Sequence, residues 1–226
     1  MLDKKFLLLG NRLCIDFANT IYSEQGHDDA LVEWRDFVAF IAAAGLATET
    51  TLGLISGPDH AVQDLADDLT RDGEAGLFDP TWLLTEAKQL RAQIRDGLAA
   101  LSAGQHAPAS VVASLNGLLA SALLREKLNP APDGGWVLST ESLAASFERA
   151  LALIARSAAD VFAEGPTAPV RKCGNPRCPL YFYDVSRAGR RRWCSMDSCG
   201  NRAKVAAFTR RAQNTHTQAS LPKETP

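Results

Sequence analysis

The sequence CGNPRC at residues 173–178 is separated by 15 residues from CSMDSC at residues 194–199, near the C-terminal end of this 226-residue chain. Each stretch holds two cysteines in a C-x4-C pair, and four thiolates presented by two short turns form the closed tetrahedral site typical of structural zinc. About forty residues around the pairs cannot bury enough apolar surface to be stable without a metal or disulfides. The sequence therefore predicts one zinc ion bound by Cys173, Cys178, Cys194 and Cys199.

Disulfide or redox chemistry and an iron–sulfur cluster are the alternatives to zinc. The apolar run from Phe6 to Leu9 is shorter than the roughly 7–15 residues of a signal-peptide core. No apolar stretch approaches the roughly 20 residues of a membrane helix. We therefore expect a soluble cytoplasmic protein with no membrane contact, in which paired cysteines usually hold metal or do redox chemistry. Redox motifs commonly space their cysteines by two residues, which favours zinc here; an iron–sulfur cluster stays as the third alternative.

Charge is divided unevenly along the chain. Between Arg171 and Arg211 there are eleven basic residues and two acidic ones, a formal surplus of nine, although the whole chain carries −2. Four thiolates around one Zn²⁺ carry two negative charges, so the surplus around a loaded site is about +7 by formal counting. Such a surplus suits a polyanion, and nucleic acid is the natural one. The alternative is that these residues are solvated charge that also balances the thiolates.

Guanidinium groups can grip phosphates or read guanine edges, and a sequence does not distinguish the two roles. We take the cations around the second cysteine pair as candidate nucleic-acid contacts. They are Arg190, Arg191, Arg192, Arg202, Lys204, Arg210 and Arg211.

The rest of the chain predicts an α+β fold in which a mainly helical N-terminal domain carries short β-hairpins. Two apolar runs around Gly10-Asn11 suggest an opening hairpin over residues 6–17. Apolar periodicity then predicts five helices. The first spans residues 29–44, the second begins near Pro58, the third begins at Asp79-Pro80 and the fourth begins at Pro108. The fifth runs from a cap at Ser139 or Thr140 to Phe162. A second hairpin is expected on either side of residues 130–135.

The C-terminal segment has the order knuckle, hairpin, knuckle and helix, which is expected of a small treble-clef-like zinc finger. Residues 200–213 suit a helix with Val205, Phe208 and Ala212 on one face, and Trp193 and Phe208 are predicted to form the small core. The predicted division is an α+β domain at 1–165, a linker at 166–170, the finger at 171–213 and a disordered tail at 214–226.

Single residues of the N-terminal domain invite structural interpretations. We expect Trp34, Trp82 and Trp136 to anchor the core and Cys14 to be a buried, inert thiol. Asp16 lies between Ile15 and Phe17 in the sequence, so its carboxylate needs hydrogen bonds. We expect it to staple a loop, and lining a ligand pocket is the alternative.

Two stretches resemble a known pair of domains. Residues 193–204, with Cys-Gly-Asn-Arg at 199–202, resemble the signature of the CGNR zinc finger, and residues 173–178 are similar to the upstream part of that module. Residues 10–20 resemble the opening motif of the ABATE domain, which precedes this finger in bacterial proteins. The resemblance implies a stress-linked bacterial transcription regulator with a DNA-binding finger, and it implies that residues 1–165 form one unit.

The sequence thus predicts a DNA-binding transcriptional regulator whose N-terminal domain senses a small-molecule effector or a protein partner. The alternative is a zinc-stapled module for protein interaction or oligomerisation, a homodimer included, that does not bind DNA. The chain has no nucleotide-binding glycine-rich loop, nucleophile elbow or HExxH helix, so we expect no enzyme. An enzyme or an RNA-binding protein is the third interpretation.

Overall fold

A computed structural model describes residues 6–22, 28–47, 61–121, 124–130, 134–142 and 145–209. Within these residues the fold is α+β, as predicted, with helices and two separate two-stranded antiparallel sheets. None of the helices in these ranges is both long and apolar enough to span a membrane. Pro58, Arg210, Arg211, Ala212 and the predicted tail at 214–226 lie outside the described residues.

The helices and strands follow one another in the order of their labels. The helices are α1 Leu13–Ala18, α2 Trp34–Ala47, α3 Ala61–Glu74, α4 Pro80–Ser102, α5 Ala109–Ser121, α6 Ser146–Ala163 and α7 at residues 201–209. The strands are β1 Leu124–Pro130, β2 Trp136–Ser142, β3 Val170–Lys172 and β4 Tyr181–Tyr183. Short 3-10 turns span Asn19–Ile21 and Gly165–Thr167, and a π-helical turn at Met196–Gly200 leads into α7.

Helix α4 runs through the main core and begins as the sequence predicts. The Asp79 carboxylate accepts a hydrogen bond of 2.8 Å from the backbone N–H of Thr81, and Pro80 occupies the first turn. One face of the helix is buried, including Leu83, Leu90, Ile94 and Leu98. At Gly97, α6 comes so close that an added Cβ would lie 2.2 Å from the Phe162 ring. This contact fixes α6 against the C-terminal part of α4.

The predicted hairpin over residues 6–17 is wrong, because its second half is helix α1. Asn11 adopts a left-handed conformation with φ of 61°, and the N–H of Asp16 then donates to the carbonyl of Arg12 at 2.9 Å. All six residues of α1 are buried, between helices that include α2, α4 and α6. A helix pairs its own backbone groups in such surroundings, whereas a buried edge strand would leave some of them unpaired.

The second predicted hairpin is confirmed, and its strands pair from Leu124 opposite Ser142 to Pro130 opposite Trp136. Helix α6 therefore begins at Ser146, later than the predicted cap, because residues 136–142 belong to β2. The prediction that Trp136 anchors the core is wrong, since its side chain is 70% exposed on this hairpin. Trp34 is buried, as expected. The prediction that Trp82 anchors the core is wrong, since it is 42% exposed, with its ring edge-on to Phe147.

The main core continues past the predicted linker. Ala168, Val170 and Tyr181 belong to the same buried cluster as the side chains of α4 and α6, and β3 packs on α4. Residues 166–170 hold most of a 3-10 turn and the first residue of β3. The β3–β4 hairpin is therefore docked on the helical part of the molecule.

Candidate metal centre and nucleic-acid surface

Four buried, unoxidised cysteines converge in the C-terminal segment. The Sγ atoms of Cys173, Cys178, Cys194 and Cys199 all lie within 4.8 Å of one another, and those of Cys178 and Cys194 are 3.7 Å apart. Zn–S bonds of about 2.3 Å at tetrahedral angles place sulfurs about 3.8 Å apart, whereas a disulfide needs about 2.05 Å. The geometry fits the predicted zinc site and excludes a disulfide between Cys178 and Cys194.

Backbone N–H groups shape the two metal-binding turns. The N–H of Cys173 donates to Leu180 O at 2.9 Å, and the N–H of Cys178 donates to Asn175 O at 2.9 Å. The N–H of Cys194 donates to Cys173 Sγ at 3.5 Å, so the second turn supports a ligand of the first. The first turn in return supports a ligand of the second, because Asn175 Nδ2 donates to Cys199 Sγ at 3.4 Å. Sequence reasoning had not assigned Asn175 a role.

The thiols cannot all ionise without a cation. Hydrogen bonds from Cys178 and then Cys194 lower the pKa of Cys173. The same contacts raise the pKa of Cys178 and of Cys194, because a thiolate is already present beside them. A divalent cation removes this conflict by binding all four sulfurs as thiolates. Zinc bound there cross-links the turn between β3 and β4 to the turn that leads into α7.

Four of the predicted nucleic-acid contacts are exposed on the finger: Arg190, Arg192, Arg202 and Lys204. We call these residues the exposed finger cations. Within the part of the chain that the structure describes, none of them pairs with a carboxylate. Arg192 stacks on Trp193, its guanidinium carbon 5.2 Å from the ring centroid. Their charges are therefore available to a partner.

Arg191 differs from its neighbours, because it binds the protein's own backbone. Its Nη2 donates to the carbonyls of Leu9 and Cys194, and its Nε donates to Trp193 O at 3.1 Å. The guanidinium carbon also lies 4.3 Å from the centroid of the Phe182 ring. These contacts tie the finger to the segment before α1. As a nucleic-acid contact, Arg191 stays a prediction.

Asp184 organises the loop that carries Arg190. Its side chain has no exposed surface and accepts hydrogen bonds from Ser186 Oγ at 2.6 Å, Arg191 N at 3.1 Å and Arg171 Nε at 3.2 Å. Burial alone would raise the pKa of Asp184, but the hydrogen bonds from Ser186 and the two arginines hold it below its ordinary value. Sequence reasoning did not assign this role, although Asp two residues before Ser is a turn signal.

Asp16 is a loop staple, as expected. Its Oδ1 accepts a hydrogen bond of 2.7 Å from the N–H of Gly10, and the residue is 7% exposed. Burial raises the pKa of Asp16 to about 7, against the effect of the Gly10 hydrogen bond and of Arg191. Asp16 does not line the groove of about 320 Å³ between α4 and α5, whose walls include Gln89, Gln93 and Ser114.

Cys14 is also placed as predicted, because it has no exposed surface and burial raises its pKa to about 12. Tyr181 and Tyr183 both pack on the N-terminal domain. Tyr181 is buried in the main core, and the Tyr183 ring lies 3.9 Å from the guanidinium of Arg12.

Helix α7 does not turn its large apolar residues toward the finger. Val205 is 65% exposed and Phe208 is 74% exposed, whereas Ala203 and Ala207 are half-buried. The prediction that Phe208 shares a core with Trp193 is therefore wrong. Trp193 instead packs beside the cysteines.

Two family models match the chain, and together they cover nearly all of the described residues. The CGNR zinc finger matches residues 170–212. The ABATE family, described as "Putative stress-induced transcription regulator", matches residues 11–165. None of the curated proteins is significantly similar to the chain. With more than half of its length matched by one family and its four-cysteine site matched by the other, the chain belongs to the ABATE family and carries a C-terminal CGNR zinc finger.

Proposed function

We propose that the chain is a DNA-binding transcriptional regulator whose zinc finger holds duplex DNA through the exposed finger cations. One contrast carries the proposal. Arg171 and Arg191 are bound to groups of the protein, whereas the exposed finger cations have no counter-charge among the described residues. Unpaired cations clustered on a small module repel one another. DNA phosphates relieve this repulsion, and the protein cations in turn release counterions condensed on the DNA.

The N-terminal domain is the proposed sensor of an effector or partner. It contacts the finger directly, since Arg95 donates to Pro179 O at 3.1 Å and Arg191 donates to Leu9 O at 3.2 Å. A conformational change in the N-terminal domain would therefore be transmitted to the finger through these direct contacts and not through a flexible linker. We propose the cytoplasm as the compartment, because reduced thiols and DNA occur together there, and we assign the chain no catalytic step.

Binding of a fluorescent, mixed-sequence duplex at a series of salt concentrations tests the proposal. We expect log affinity to fall linearly with log salt concentration. Replacing Arg190 and Arg192 together by Ala should reduce the slope by about 1.8, since each phosphate contact contributes about 0.9. Arg156→Ala is the matched control, because Arg156 is an exposed arginine of α6 that pairs with Asp160. Its slope should equal that of the parent protein.

A slope near zero for the parent protein would exclude phosphate-driven binding. If the double variant kept its DNA affinity and lost self-association in light scattering, the zinc-stapled interaction module would replace the proposed function. Preferential competition by single-stranded RNA would assign the finger to RNA instead.

A further inference from the structure

Helix α7 has an inverted apolar distribution. At about 100° per residue, Val205 and Phe208 lie about 60° apart on one side of the helix, and Ala203 and Ala207 lie on the other. The alanines are half-buried, whereas the two large side chains are mostly exposed to solvent. Full burial of one such side chain is worth about 1.5–3 kcal/mol. Among the residues that the structure describes, the helix therefore presents an exposed apolar stripe formed by Val205 and Phe208.

Cations border this stripe on both sides. Arg202 lies about 60° beyond Val205 around the helix, and Lys204 lies about 40° beyond Phe208. Both are exposed and belong to the exposed finger cations. The partner of this surface must therefore combine negative charge with apolar area.

Two occupants can be compared by charge. A second copy of α7 packed against the stripe would bring Arg202 and Lys204 close to the same cations of its partner, and juxtaposed like charges cost several kcal/mol at an interface. Duplex DNA presents phosphates at both edges of its minor groove and the apolar faces of stacked bases between them. Minor-groove proteins use this arrangement, pairing Arg or Lys with an apolar wedge that opens a base step.

We propose that α7 lies over the minor groove of duplex DNA, which a kink widens beyond its ordinary ~6 Å, and that Phe208 is a wedge between base pairs, with Val205 beside it. Arg202 and Lys204 hold the phosphates on either side, and the wedge kinks the duplex. This inference rests on the proposed function and adds to it a binding mode: a bent duplex, in which affinity comes from an apolar insertion as well as from charge.

Affinity and bending of an end-labelled duplex, read by energy transfer between its two ends, test the wedge. Phe208→Ala should remove the bend and weaken binding by about 5- to 100-fold, as expected for the loss of one base contact with an aromatic ring. The salt slope should stay unchanged. Lys204→Ala should instead reduce the slope by about 0.9 and keep the bend. Phe208 is 74% exposed, so its removal should leave the fold intact.

Leu77→Ala is the matched control, because Leu77 is a 70% exposed apolar residue of the N-terminal domain. It should change neither bend nor affinity. If Phe208→Ala bound DNA with unchanged affinity and bend, the wedge would be overturned while salt-dependent binding upheld the proposed function. If the parent protein showed no salt-dependent binding, both would fail. Loss of self-association in Phe208→Ala, with DNA affinity unchanged, would assign the stripe to a second copy and overturn the wedge.

Discussion

Asn19 and Tyr181 exchange two hydrogen bonds across the junction between the helical domain and the finger. Asn19 Nδ2 donates to the carbonyl of Tyr181 at 2.9 Å, and the N–H of Tyr181 donates to Asn19 Oδ1 at 2.9 Å. Both residues are buried. The side-chain amide thus pairs with the first residue of β4 much as a neighbouring strand would, and it aligns the finger with the end of α1.

Asn19→Ala should lower the free energy of unfolding by about 2–4 kcal/mol, because it leaves a buried N–H and a buried carbonyl of Tyr181 unpaired. Chemical denaturation of the zinc-loaded protein measures this change. Asn11→Gly is the control: it removes an exposed hydrogen bond to Tyr183 O at a position where φ is 61°, which glycine adopts freely. Its effect should stay below about 1 kcal/mol. Equal losses in the two variants would contradict the role given to Asn19.

Removal of zinc should destabilise the helical domain as well as the finger. Val170 and Tyr181 belong to the main core, so loss of the metal cross-link loosens a part of that core. Cys194→Ser should contain no stoichiometric zinc and show faster amide hydrogen exchange in α4, which β3 contacts. Cys14→Ala, the control, should keep one zinc ion per chain. Unchanged protection of α4 in the zinc-free variant would show that the two parts unfold independently.

Asp16 should make stability depend on pH near neutrality. Its folded pKa is about 7, above the ordinary value near 3.8, so the folded state holds a proton that the unfolded state releases. The free energy of unfolding should therefore fall as pH rises from about 4 to about 7, between the unfolded and folded pKa values of Asp16, by at most about 1.4 kcal/mol per pH unit. Asp16→Asn should flatten this dependence, since the amide does not titrate. Parallel curves for parent and variant would remove Asp16 as the cause.

Although Arg190 and Arg191 are adjacent, replacing Arg190 should affect DNA binding and replacing Arg191 should affect stability. Arg191→Ala should lower the free energy of unfolding by about 2–4 kcal/mol, because a charged donor to the Leu9 and Cys194 carbonyls is lost. Arg190→Ala should leave stability unchanged and weaken DNA binding. Thermal unfolding and duplex titration of both variants measure the two effects. A destabilised Arg190→Ala protein would contradict the assignment.

Features set by short sequence patterns were predicted from the sequence. The spacing of Cys173, Cys178, Cys194 and Cys199 brings four sulfurs together whatever packs around them, and Asp79 caps α4 through a backbone group two residues away. Features set by contacts between residues far apart in the chain were not predicted from the sequence. Whether Phe208 faces the finger or solvent depends on how α7 lies, and no local pattern encodes it.

The opening segment shows the same division. Two apolar runs around Gly10-Asn11 suit a hairpin when read locally, but α1 is enclosed by helices from far along the chain. Asp184 gave only a turn signal, and its contact with Arg171 across the β3–β4 hairpin appears once the strands are paired.

Because Val170 and Tyr181 complete the helical core, cleaving the chain near Pro169 would expose core surface on both fragments and make them prone to aggregate. Exchange of this finger for that of a relative would succeed only if the residues facing Asn19 and α4 changed with it. We therefore expect the helical domain and the finger to co-evolve, as the subunits of a permanent complex do.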